Sequence, residues 1–163
     1  MKKWMIYLML AVLWLAPACF ANPQSATIHP FVKGSFAQIL AQNAGKPFLM
    51  VFWSETCTYC MEELTMLGKL QKKYPEQAIV VVATDPFLDE KIVWKTLAEH
   101  DLRLAYTWVF GESFPEIIYR DVDKGWRGEL PLTLFVDAQG KQFKHLGIVN
   151  EEILHAWFER PTL

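Results

Sequence analysis

The segment FLMVFWSETCTYC, residues 48–60, joins a run of apolar residues to a pair of cysteines. An uninterrupted apolar run as short as 48–53 predicts a β-strand that is covered on both faces. Cys57 and Cys60 follow it and open a segment with helical periodicity, so both thiols are expected at a helix N-terminus. The partial positive charge of that terminus stabilises a thiolate, the nucleophilic form of cysteine. The spacing lets the second sulfur displace a disulfide formed at the first, so the segment indicates thiol chemistry.

Strand and helix patterns alternate on both sides of this segment. The sequence SFPE at 113–116 matches a capping box with proline in the first turn, and DAQG at 137–140 is turn chemistry that joins antiparallel strands. Together the patterns predict a mixed sheet with helices on both faces. In order, they are a helix capped by Ser35 and ended at 43–47, a strand at 48–53, a helix ending at Pro75, a strand at 78–83, a helix at 89–100, a weaker strand at 105–110, a short helix from Phe114 to about Val122, strands at 132–137 and 142–147, and a helix capped by Asn150.

The N-terminus has the features of a secretory signal peptide. Two lysines precede an apolar run from Trp4 to Leu15, and small residues follow. An uncleaved membrane span needs about 20 apolar residues, and the run reaches that length only if Pro17 and the small residues after it are included. We therefore assign 1–21 to a signal peptide, 22–33 to an N-terminal tail and 34–163 to one domain. The chain of 163 residues, 52% of them hydrophobic, suffices for one core.

The cleavage point has alternatives, because small residues allow a cut after Ala18 or after Ala21, of which we prefer Ala21. A further interpretation treats APAC at 16–19 as a lipoprotein box, with an acylated Cys19 that tethers the domain to a membrane. Cleavage after Ala21 removes two of the 16 basic side chains and no acidic ones, which leaves 14 basic against 18 acidic. This charge balance does not favour nucleic acid as a partner.

The cysteine count favours redox chemistry over a structural role. Without Cys19 the chain retains only Cys57 and Cys60, in a compartment where disulfides form. A disulfide that closes so short a loop removes little entropy from the unfolded chain, so stabilisation of the fold is a weak explanation for the two cysteines. No second CxxC and no close histidine pair completes a zinc site, and we expect no metal. The histidines are scattered and are expected at the surface or at helix caps; they are His29, His100, His145 and His155.

The motifs together resemble the thioredoxin superfamily and, within it, the secreted TlpA-like reductases. The resemblance rests on FWSETCTYC at 52–60, on Glu63, and on LPLTLFVD at 130–137 followed by Gly140. It extends from about Gly34 to Arg160, nearly the whole mature domain. It implies an α/β, thioredoxin-like fold with a mixed central β-sheet and helices on both faces.

Carried over by position, the resemblance implies roles for the residues around the disulfide. Cys57 is the exposed attacking sulfur and Cys60 the buried resolving one. Pro131 matches the cis-proline that packs against the disulfide, although an ordinary trans proline at the start of an edge strand is the alternative. Leu130 then offers its backbone to a substrate strand. Tyr59 is similar to the residue found in secreted isomerases, and we assign it to substrate binding.

Glu63 matches the acidic position of TlpA-like proteins, three residues after Cys60. A carboxylate there is expected to accept the proton of the buried thiol, or to hold that thiol protonated by charge repulsion. The alternative is an exposed glutamate favoured near a helix N-terminus. Its neighbour Glu62 is expected to face solvent.

Two departures from the wider family bear on the site. Val51 stands where thioredoxin has a buried aspartate, so Glu63 becomes the better proton acceptor. Thr56 replaces the tryptophan that usually precedes the first cysteine. Trp126 is a candidate to replace that apolar contact surface for substrate, with loop or core packing as the alternative.

The predicted activity is thiol–disulfide exchange by a periplasmic protein, a reductase of secreted proteins or of apocytochrome c thiols. No organic cofactor is expected. An oxidising compartment requires that a reductase be recharged, which implies a membrane electron donor such as a DsbD-like protein. The alternatives are an oxidase or isomerase of the same fold, and a non-catalytic module that holds a partner beside Pro131.

Overall fold

The structure is a computed structural model that describes residues 27–159. The assigned signal peptide, its cleavage points and Cys19 lie outside the described residues. Within 27–159, no helix is long and apolar enough to cross a membrane. The helices and strands are, in chain order, β1 (Ile28–Phe31), α1 (Ser35–Gln42), β2 (Phe48–Trp53), α2 (Thr58–Lys73), β3 (Ala78–Ala83), α3 (Glu90–Glu99), β4 (Tyr106–Phe110), α4 (Glu116–Val122), β5 (Leu132–Val136), β6 (Gln142–Leu146) and α5 (Glu151–Phe158).

The strands form one mixed sheet in the order β1-β4-β3-β2-β5-β6. The first four of these run parallel, whereas β5 pairs antiparallel with β2 and β6 antiparallel with β5. The predicted mixed sheet is confirmed. Since β5 runs against β2, the start of β5 lies at the same sheet edge as the end of β2.

Strand β2 is buried throughout because each of its faces is covered by helices. Leu49, Val51 and Trp53 join a core cluster with side chains of α2, α3 and α5. The alternate residues join a second cluster with side chains of α1 and α4. Both faces of the strand therefore need apolar side chains, which is why 48–53 has no polar alternation.

Three sequence predictions are corrected by the fold. Residues 28–31, assigned to a tail, form the edge strand β1, which pairs with β4. The short helix α4 begins at Glu116 rather than at Phe114, and no side chain caps it, so the capping box is not formed. Ser35 is the first residue of α1 rather than its cap, and its hydroxyl accepts a hydrogen bond from the Val32 N–H. For β1, pairing with a strand about 80 residues away along the chain overrides the local signal.

Candidate active site

Cys57 and Cys60 form a disulfide at the N-terminus of α2. Cys57 is the N-cap residue, and its sulfur accepts a hydrogen bond from the Cys60 N–H at 3.1 Å. Cys60 has no exposed surface, whereas Cys57 is partly exposed. When the disulfide is reduced, the same N–H and the helix dipole favour a thiolate at Cys57, the sulfur that is accessible to solvent.

The turn before Cys57 is held by a carboxylate from another loop. Asp85 follows β3 and accepts hydrogen bonds from the Ser54 hydroxyl and from the Glu55 N–H, both at 2.8 Å. The Cys57 N–H in turn donates to the Ser54 carbonyl at 3.1 Å. Asp85 was not predicted as a site residue. Its position just after a strand parallel to β2 is the one sequence signal that it lies near the thiols, because parallel strands end at the same sheet edge.

The loop that contains Pro131 reaches the same edge at the start of β5. The peptide bond between Leu130 and Pro131 is cis. Pro131 is buried, and its carbonyl accepts a hydrogen bond from the Gly147 N–H at 2.9 Å. The Leu130 side chain is partly buried and packs against both core clusters, so it anchors the loop between the two faces of the sheet.

Glu63 is completely buried in α2, and the exposed alternative is therefore wrong. It lies one helical turn beyond Cys60, so both side chains lie on the same face of α2. The Thr133 hydroxyl on β5 donates a hydrogen bond to Oε1 of Glu63. Its other oxygen, Oε2, has no hydrogen-bond partner of good geometry in residues 27–159.

Burial raises the pKa of the Glu63 carboxyl above its ordinary value of 4.5. Desolvation is the largest cause, and it is opposed by the Thr133 hydroxyl, by the Val149 backbone and by the charge of His145. Unfavourable burial of the charged form thus outweighs the groups that stabilise it. A carboxyl in this state can hold a proton or take one from a nearby thiol.

Thr133 is a second site residue that was not predicted. In the sheet it lies between Val51 on β2 and His145 on β6. Val51, where thioredoxin has its aspartate, is part of the apolar core beside Glu63 and Cys60. The buried carboxyl of this protein therefore belongs to Glu63 on α2 rather than to a residue of β2, and the Thr133 hydroxyl on β5 donates a hydrogen bond to it. The threonine in LPLTLFVD was the available signal, but a buried threonine is also common in strands.

The remaining predicted residues are divided between surface and core. Tyr59 is 63% exposed in the first turn of α2, beside the disulfide. Glu62 is exposed, as predicted. Trp126 is only 2% exposed, and its indole N–H donates to the Glu129 carbonyl at 2.9 Å. Trp126 follows the packing alternative, because its ring packs against Phe52 and Tyr119 in the second core cluster.

Comparison with known families gives one match that spans most of the chain. The sequence profile described as the AhpC/TSA family matches residues 34–162. No curated protein matches the chain significantly.

Several solved structures are similar in fold. One is a secreted Mycobacterium tuberculosis disulfide oxidoreductase homologous to E. coli DsbE, with a TM-score of 0.58 and 20% identity, covering 72% of this chain and 84% of that one. Another is the exposed lipoprotein thioredoxin of Streptococcus pneumoniae, with a TM-score of 0.54 and 20% identity, covering 74% and 90%. A third is a thiol:disulfide interchange protein from Chlorobium tepidum, with a TM-score of 0.57 and 19% identity, covering 73% and 81%. At these identities the likeness establishes the thioredoxin-like fold.

Proposed function

This chain belongs to the AhpC/TSA family, whose members act by thiol redox chemistry, and from that membership we propose that it is a periplasmic reductase of protein disulfides. The observation that carries the proposal is the Cys57–Cys60 disulfide at the N-terminus of α2, one helical turn from a buried carboxyl. An exposed sulfur, a buried partner and a proton acceptor are the groups that dithiol exchange requires.

The reaction starts from the reduced protein. The Cys57 thiolate attacks one sulfur of a client disulfide, which forms a mixed disulfide, and the other client sulfur leaves as a thiolate. The Cys60 thiol gives its proton to the Glu63 carboxylate and attacks the Cys57 sulfur. This step releases the second client sulfur and closes the Cys57–Cys60 disulfide. The client gains two electrons, and protons from Glu63 and solvent convert its thiolates to thiols.

The surroundings of the disulfide supply client contacts. Leu130 offers its backbone at the loop before β5, and Pro131 lies at the end of the sheet where β2 leads to the disulfide. Tyr59 offers an exposed ring at the helix terminus. A membrane thiol donor of the DsbD-like type then restores the dithiol. We propose that the clients include apocytochrome c thiols, which must stay reduced in an oxidising compartment.

Secretion is supported by the signal-like residues 1–21 and by two of the structurally similar proteins. One of the structurally similar proteins is secreted, and another is an exposed lipoprotein. If Cys19 is acylated, the domain is tethered to a membrane; if the cut follows Ala21, it is free in the periplasm. Mass spectrometry of the protein isolated from its host distinguishes the two.

The test is a redox titration of residues 22–163 against glutathione, followed by reduction of insulin with dithiothreitol. We expect a reversible two-electron couple nearer to thioredoxin, at about −270 mV, than to a strong oxidant, at about −120 mV. A potential at the oxidising end would favour an oxidase or isomerase. No reversible couple at all would refute the proposal.

Two cysteine variants test the order of the steps. We expect Cys60→Ser to trap clients as a covalent mixed disulfide, because resolution is lost, and Cys57→Ser to trap none. Equal insulin reduction by wild type and both variants would favour a non-catalytic binding module instead. In a protein that keeps both cysteines, Glu63→Gln is expected to slow resolution of the mixed disulfide. Glu62→Gln is the matched control, because Glu62 is the exposed neighbour of Glu63.

A further inference from the structure

A basic cavity of about 330 Å³ lies between α4 and the loop that leads to Pro131. Its wall contains three cations, one carboxylate and two aromatic rings, which are Arg120, Lys124, Arg127, Glu116, Tyr119 and Trp126. The full chain carries a formal net charge of −2, so this cavity has the opposite sign to the protein as a whole. The mechanism described above uses none of its charged residues.

The cavity is lined in part by the segment at 123–130, which leads to the Leu130–Pro131 peptide bond. The Trp126 ring lies 4.8 Å, centroid to centroid, from the ring of Phe52, the second-last residue of strand β2. The Tyr119 ring lies 4.7 Å from the Trp126 ring. Burial is the main cause of the raised pKa of Tyr119, and the charges of Glu116 and Asp85 add to it. Asp85 is also the residue that holds the turn before Cys57. The cavity therefore lies against the loop that leads to Leu130, and its aromatic rings pack near the end of β2.

Three carboxylates near the cavity are bonded to other groups, and a fourth, Glu116, lies in the cavity wall. Asp121 accepts a hydrogen bond from the Gly34 N–H at 2.8 Å, and Asp123 forms an ion pair with Lys144 at 2.9 Å. Glu129 accepts a hydrogen bond from the Arg127 backbone N–H at 2.8 Å. In the described part of the chain, Arg120, Lys124 and Arg127 form no ion pair with a carboxylate.

One of the cations is held in a defined position. The Arg127 guanidinium donates through Nη1 to the carbonyls of Lys124 and Trp126, at 2.9 and 3.0 Å. A guanidinium has five N–H donors, so these contacts leave others for a ligand. A planar guanidinium can bind a carboxylate through two parallel hydrogen bonds, which a lysine ammonium cannot do. A guanidinium that is already held in position also loses less conformational entropy when it binds a carboxylate.

We propose that this cavity binds an acidic side chain of the client polypeptide, so that the protein prefers disulfides flanked by Asp or Glu. This inference rests on the proposed function. A client strand that pairs with Leu130 passes along the loop at 123–130, which brings a residue a few positions from the client cysteine to the cavity. The number of cations favours a single carboxylate, because recognition of an anionic membrane typically uses a cluster of about 4–8 basic residues.

The test compares two disulfide-bonded peptides that are identical except for Glu or Gln at the positions flanking each cysteine. Reduction by the dithiol form of the protein is followed at several salt concentrations. We expect kcat/KM to be about fivefold higher for the Glu peptide at low ionic strength, mainly through KM, and the preference to shrink as salt screens the charges.

Charge-reversed variants locate the effect. Arg120→Glu combined with Lys124→Glu is expected to abolish or reverse the preference, and Arg120→Lys with Lys124→Arg to keep it. The matched control is Arg103→Glu combined with Lys46→Glu. Both control residues are exposed and precede strands β4 and β2, at the sheet edge opposite the disulfide, so the preference should not change.

A neutral small disulfide, 2-hydroxyethyl disulfide, separates this inference from the proposed function. If the protein fails to reduce it, the proposed function fails. If it is reduced normally while the two peptides have equal kcat/KM, only the acidic-client inference is overturned. Binding to phosphatidylglycerol vesicles that depends on Arg120 and Lys124, without a peptide preference, would also overturn it and assign the cavity to lipid headgroups.

Discussion

Burial of the Glu63 carboxyl should make the stability of the oxidised protein depend on pH. Its pKa is raised by burial above the ordinary 4.5. Between 4.5 and that raised pKa the folded protein keeps a proton that the unfolded chain has released. The free energy of unfolding therefore falls as pH rises through this interval, and the loss is complete above the folded pKa.

Glu63→Gln is expected to remove this dependence, because the amide resembles the protonated carboxyl and does not titrate. Urea unfolding of the oxidised proteins from about pH 4 to about pH 8 measures the effect. The variant should gain stability relative to wild type as pH rises. Equal slopes in the two proteins would show that Glu63 is not buried as described, and Glu62→Gln should follow wild type.

Thr133 sets how readily Glu63 loses its proton. Its hydroxyl bond favours the charged carboxylate, so Thr133→Val is expected to raise the Glu63 pKa further and to shift the pH profile of mixed-disulfide resolution to higher pH. Loss of the bond also leaves a buried acceptor unpaired, which costs about 1–3 kcal/mol of stability. Thr133→Ser keeps the hydroxyl and serves as the control. Coincident pH profiles for the Val and Ser variants would remove Thr133 from the proton step.

At the scale of elements, helix α2 depends on a close approach to the end of α3. Gly68 is buried, and a Cβ there would overlap the His100 backbone carbonyl. Alanine is a better helix former than glycine by about 1 kcal/mol, yet we expect Gly68→Ala to destabilise the protein by about 1–3 kcal/mol, because the helices must move apart. Chemical denaturation measures this, with the exposed Lys69→Ala as a near-neutral comparison. A gain in stability would mean that the two helices are not in contact at this point.

For the whole molecule, the edge strand β1 is part of the core. Phe31 has no exposed surface and contacts the rings of Phe52, Trp108 and Phe110 at centroid distances of 5.8, 6.0 and 5.6 Å. The loss of one such buried phenylalanine side chain typically costs about 3–5 kcal/mol. A chain that starts at residue 34, where the family match begins, therefore lacks Phe31 and with it part of the second core cluster.

We expect the chain from residue 34 to unfold at a clearly lower urea concentration than the chain from residue 22. A chain from residue 27 keeps β1 and should match the longer protein. The same midpoint for all three would show that β1 contributes nothing to stability. In the strand order, β1 is the outermost strand, and two strands separate it from β2, which leads to the disulfide. We therefore expect the chain from residue 34 to lose redox activity only as it unfolds.

Local patterns were enough to predict most elements of the fold and the chemistry of the disulfide. The strands at 48–53 and 78–83 have the predicted bounds, because two covered faces require an unbroken apolar run. The Asn150 side chain caps α5 as expected, since a cap bonds only to residues of its own turn. The placement of Cys57 at a helix N-terminus is likewise confirmed, and it too depends on a single short segment.

Contacts between distant segments determined the rest, because spacing along the chain does not specify which residues meet across a sheet. Glu63 and Thr133 are 70 residues apart, and their bond exists only because β5 lies beside β2 beneath α2. Asp85 reaches the Cys57 turn because two parallel strands end at one edge. Strand β1 forms because β4 offers it an unpaired edge and an aromatic core that covers Phe31. Each of these features is stabilised by burial or by pairing with a residue that is distant along the chain, and only folding brings such residues together.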